Sequence, residues 1–84
     1  MEKIDQNYIE KICLETIADE MGLEAKDLNV KMNLRDELDI VSLDAMNIIM
    51  ALEDEFEVEA DIESVLEMQY ISDIVDHLAE RIKI

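Results

Sequence analysis

The chain has 84 residues and a formal net charge of −16, from 23 acidic and 7 basic side chains. That balance weighs against nucleic acid, whose phosphates are held by Lys and Arg, and against anionic membranes, and it reads either as a solvated coat or as a surface for partners with basic faces. Half of the residues are apolar, there is no Pro and there is one Gly, which predicts a packed all-α domain rather than a disordered chain.

The length allows one domain, over 1–84, with a small core. The lone Cys13 excludes an internal disulfide and reads as a small packing residue. Met1-Glu2-Lys3-Ile4-Asp5 lacks the basic start and apolar run of a signal peptide. No apolar stretch approaches the roughly 20 residues that span a bilayer. The expectation is a cytoplasmic monomer with no membrane insertion.

The first helix is expected from Ile4 to Met21, with Ile4, Tyr8, Ile12, Leu14, Ile17 and Met21 as its apolar face. Gly22 stops it, because glycine takes the left-handed position past a helix end cheaply. From Leu23 to Val41 no helical period is sustained. The apolar residues there predict a long first loop that packs across the helices, with a short turn capped by Asn33.

The second helix, Leu43 to Phe56, has the clearest pattern. Ala45, Ile48, Ile49, Leu52 and Phe56 form a core stripe. Leu43, Met46 and Met50 form a narrower second stripe, readable as core filler or as a face for a partner; methionine adapts to several partners. A short third helix starts after Asp61 and turns Ile62, Val65 and Leu66 inward. The last runs from Tyr70 to Ile82 on Ile71, Ile74, Val75, Leu78 and Ile82. Asp73 at its start and Arg81 and Lys83 at its end suit the helix dipole. The predicted fold is a small antiparallel four-helix bundle of three main helices and one short one.

Chemistry is sparse. No glycine stands where an EF-hand needs one, and Cys13 and His77 are too few for a zinc site; no metal site is expected. A triad through His77 has nothing to support it, and no glycine-rich phosphate loop is present. Ser42 is left, at the predicted start of the second helix. It reads either as an N-cap or as an attachment point at the positive end of a helix dipole. The capping box is incomplete, because Ala45 stands three residues on.

Leu38-Asp39-Ile40-Val41-Ser42-Leu43-Asp44, followed by Ile48-Ile49-Met50-Ala51-Leu52-Glu53-Asp54-Glu55-Phe56, resembles the acyl carrier protein family. Gly22 and the run Ile71-Ser72-Asp73-Ile74-Val75-Asp76-His77-Leu78 extend the likeness over nearly the whole chain. The resemblance implies a 4′-phosphopantetheine arm from coenzyme A on Ser42, placed by a phosphopantetheinyl transferase. It implies a carrier rather than an enzyme, holding acyl groups as thioesters for fatty acid, polyketide or related specialised biosynthesis. The implied partners are acyl-transferring or condensing enzymes with basic docking surfaces. They would meet Leu43, Asp44, Met46, Asn47, Met50, Glu53 and Asp54, and an acyl chain would shelter against Leu34, Ala45, Leu52, Val65 and Met68. Val41 replaces the family's aspartate before the serine, Asp39 its glycine, and Asn47 stands where an acid is common, which points to a specialised member. An aminoacyl or D-alanyl carrier, and an unmodified acidic protein with Ser42 as a cap, are the alternatives.

Overall fold

The computed structural model describes residues 4–82. It contains α1 (Gln6–Met21), a 3₁₀ turn (Ala25–Asp27), α2 (Ser42–Phe56), α3 (Ile62–Leu66) and α4 (Ile71–Ile82). The architecture is the expected small helical bundle: α1 packs on α2 and α4, and α3 packs on α2.

Local chemistry sets the helix limits. α1 starts after Asp5, whose carboxylate accepts the Tyr8 amide at 2.9 Å, so the helix opens later than Ile4. It ends at Gly22, with φ 69°. Space is open around the position a Cβ would take there, so the glycine serves backbone conformation rather than close packing. The amides of Gly22 and Leu23 both close on the Ala18 carbonyl. α2 ends in the same conformation without a glycine, at Glu57 with φ 55°. A left-handed non-glycine residue costs roughly 1–2 kcal/mol.

The core stripes of α2 and α4 are those the pattern predicts. Ile48, Ile49, Leu52 and Phe56 are buried, as are Ile71, Ile74, Val75 and Leu78. Ala45 and Ile82 pack at the edge of the core. In α3 only Val65 is fully buried, with Ile62 and Leu66 partly covered.

The face expected for α1 is displaced. Its fully buried residues are Ile9, Cys13, Ile17 and Ala18, while Tyr8, Ile12, Leu14 and Met21 are half-buried and Ile4 is exposed. α1 lies against both α2 and α4, so the centre of its buried arc falls between two overlapping apolar rows. Tyr8 meets Phe56 edge-on, with ring centroids 6.1 Å apart, a favoured aromatic arrangement.

The first loop packs across the helices through Leu28, Leu34, Leu38 and Ile40, all buried. Asn33 caps its turn: Oδ1 accepts the amides of Arg35 and Asp36 at 2.9 and 2.8 Å. The loop is also tied to the start of α4. The Ile71 and Ser72 amides donate to the carbonyls of Met32 and Val30, and the Leu34 amide donates to the Gln69 carbonyl. The Ile71 and Ser72 bonds satisfy helix-end donors that have no partner within the helix. Lys83 lies outside the described residues.

Candidate functional site

Ser42 begins α2, but it is not the cap. Val41 has extended backbone, with φ −97° and ψ 175°, and its carbonyl accepts the Ala45 amide at 2.9 Å. Val41 is thus the N-cap residue and Ser42 the first helical one, so the capping role weighed for Ser42 falls away. A valine side chain has no acceptor. Asp44 reaches back toward the Val41 amide only at a long 3.5 Å. Among the described residues, the amides of Ser42, Leu43 and Asp44 meet no protein acceptor, and neither does the Ser42 hydroxyl, which is exposed.

The turn into Ser42 carries a second local feature. Asp39 has φ 57°, a conformation that glycine takes most easily and that aspartate tolerates better than most residues. At the position where the resemblance has glycine, the backbone is therefore of glycine type. What the aspartate adds is charge and a stiffer chain.

Two clefts meet at Ser42. One, of about 270 Å³, is lined by Arg35, Asp39, Ile40, Val41 and Ser42. The other, of about 20 Å³, lies between Leu34, Ala45, Val65 and Met68, with Arg35, Ile40, Val41, Ser42 and Leu66 around them. That volume admits about one water, so an acyl chain would enter only as the walls part. Leu52, grouped with this cleft by the resemblance, does not line it and is buried in the core. Leu52 shares a stripe with Ala45 but stands about 10 Å further along the helix axis.

Of the residues expected to meet partners, the apolar ones form an exposed strip. Leu43, Met46 and Met50 are 67%, 39% and 59% exposed, so this stripe is not core filler. Val41, 60% exposed, adjoins it. Asn47 and Asp54 are exposed, while Asp44 and Glu53 are half-buried. Asn47 also donates to Glu20 on α1 at 3.4 Å, and Glu53 accepts the Ala60 amide at 2.8 Å.

Other reactive groups lie elsewhere. Cys13 is buried, and burial, with Glu10 adding to it, pushes its thiol up to about 12. It is unsuited to carry a thioester, because the thiolate is the nucleophile. His77 accepts the Asp61 amide through Nε2 at 3.1 Å, which ties the start of α3 to α4. Among the described residues, no group of three or more His, Cys, Asp or Glu side chains is placed to hold a metal. No described helix is long and apolar enough to cross a membrane.

Ser42 thus presents one exposed hydroxyl at a helix N-terminus, with Asp39 lining the same cleft. The family model described as "Phosphopantetheine attachment site" matches residues 14–78. An acyl carrier protein of Clostridium acetobutylicum is 34% identical over 62 residues, which cover 74% of this chain and 80% of that protein. The chain belongs to the acyl carrier protein family, whose members are carriers, and its cofactor is a covalently attached 4′-phosphopantetheine. Ser42 suits a group joined through phosphate, since unpaired amides and the positive end of a helix dipole favour an anion there.

Proposed function

We propose that the chain carries acyl groups as thioesters on a 4′-phosphopantetheine joined to the Ser42 hydroxyl, and that it catalyses no reaction of its own. When bound, the cofactor supplies the thiol that holds the cargo. The protein's part is to hold that arm and to present it. The observation that carries this reading is the state of Ser42: exposed, first in α2, and without a protein partner among the described residues. The other serines differ. Ser64 donates its hydroxyl to Asp61 at 2.9 Å, and Ser72 is half-buried at the stitched start of α4.

Its partners are a phosphopantetheinyl transferase and acyl-transferring or condensing enzymes with basic surfaces. We assign their contact to Leu43, Met46 and Met50, flanked by Asp44, Asn47, Glu53 and Asp54. Val41 extends this apolar strip to the attachment point, which supports a specialised member with enzymes of its own. The small cleft at Leu34, Ala45, Val65 and Met68 is the place for an acyl chain, with Leu52 behind it in the core.

The test is intact mass after incubation with coenzyme A, magnesium and a transferase. The native chain gains one phosphopantetheinyl group, and Ser42→Ala gains none. Equal gain by both chains, or no gain with several transferases, contradicts the reading.

A further inference from the structure

We propose that Arg35 receives the phosphate by which the arm is attached and so positions the arm's first segment against the loop before α2. The inference rests on attachment at Ser42. A phosphodiester at Ser42 would stand between Asp39 and Asp44 on a chain of net charge −16. The dipole and free amides of α2 favour it, but the surrounding field does not. Arg35 supplies the missing positive charge.

Arg35 lines the 270 Å³ cleft together with Ser42, and it also lines the 20 Å³ cleft. No other described cation lines either cleft. Arg35 is also uncommitted to a carboxylate. Asp39 shares the 270 Å³ cleft with it, and Asp36 and Glu67 line with it a third cleft of about 520 Å³ that Ser42 does not line, yet among the described residues the only ion pair joins Lys26 to Glu24. The guanidinium does make one contact: Nη2 donates to the Leu66 carbonyl at 3.4 Å, at the end of α3. A guanidinium has five N–H donors. One contact to Leu66 leaves donors for a bidentate grip on two phosphate oxygens, the geometry in which arginine exceeds lysine.

This placement gives Arg35 a positioning role. It joins the attached phosphate, the loop and the end of α3 in one chain of contacts. The arm then leaves Ser42 along the walls that lead to the small cleft, instead of swinging freely from the helix end.

Phosphorus NMR on arm-loaded protein tests this, using the native chain, Arg35→Gln and Arg35→Lys, with loading verified by intact mass. In the native protein the phosphodiester signal should relax faster than that of free pantetheine phosphodiester, and raising the salt should weaken the effect. In Arg35→Gln the docked population should fall about twofold to fivefold, the range of an exposed ion pair. Arg35→Lys, which keeps the charge and loses the fork, should lie between and remains available if the glutamine variant is unstable. Equal phosphorus shifts and relaxation in loaded native and variant proteins overturn the role of Arg35 and leave the carrier reading standing. Absence of any mass gain overturns the carrier reading, and this role with it.

Discussion

The two helix starts that border the first loop are built in opposite ways. At α4 the donors are taken: Ile71 and Ser72 bond to the loop carbonyls of Met32 and Val30, and Asp73 accepts the Gln69 and Tyr70 amides at 3.2 and 3.0 Å. At α2 the cap is a valine, the one back-contact is 3.5 Å long, and three successive amides meet no protein acceptor among the described residues. The contrast separates a bonded helix start from an open one. Hydrogen bonds are concentrated where the loop is fixed, and donors are left available at the start that holds Ser42.

The largest expected effect lies in the packing behind these ends. Ile71 is fully buried while Leu43, one residue into α2, is 67% exposed. Urea unfolding should show Ile71→Ala less stable by about 2–5 kcal/mol and Leu43→Ala unchanged within about 0.5 kcal/mol. Leu43→Ala should instead weaken partner reactions. Equal losses would mean that the two ends are not different in kind.

A smaller effect concerns the carboxylates. Asp73→Ala removes the acceptor of two amides and should destabilise by about 0.5–2 kcal/mol, as lost caps do. Asp44→Ala, which removes only the long contact, should stay within about 0.5 kcal/mol in the same measurement.

The smallest effect is at the start of α3. The Ser64 hydroxyl, with the Ser64 and Glu63 backbone amides and then Arg81 adding to it, holds the Asp61 carboxyl below its usual value. A lowered folded-state pKa gives stability that is present above the unfolded carboxylate value and is lost as pH falls through the folded one. In Ser64→Ala the Asp61 carboxyl, followed by NMR titration, should titrate closer to the ordinary value, and the acid-side loss should shrink. An unmoved titration would remove Ser64 as the cause.

Much of the bundle was legible because α2 and α4 each carry a continuous apolar stripe at helical spacing. α1 was harder. Apolar residues at Tyr8, Ile9, Ile12, Cys13, Leu14, Ile17 and Ala18 fit more than one phase, and only the positions of α2 and α4 choose between them. The packing of Leu34 and Ile40 could be anticipated from their apolarity, but not the path of the loop, which depends on backbone bonds to residues far along the chain. For the same reason nothing local marked Arg35 as a neighbour of Ser42. The exposed strip of Leu43, Met46 and Met50 was legible as one of two readings, and exposure removes the core one. That Leu52 lies in the core and not on the cleft wall was not legible, because a shared stripe gives direction around a helix but not depth along it.

The central claim is that the open helix start, and not the bonded one, takes the arm. Fragmentation mass spectrometry of the loaded protein tests it directly, because Ser42, Ser64 and Ser72 lie in different local settings. The account predicts the whole phosphopantetheinyl mass on Ser42. The same mass on Ser64 or Ser72, or a loaded Ser42→Ala chain, would contradict it.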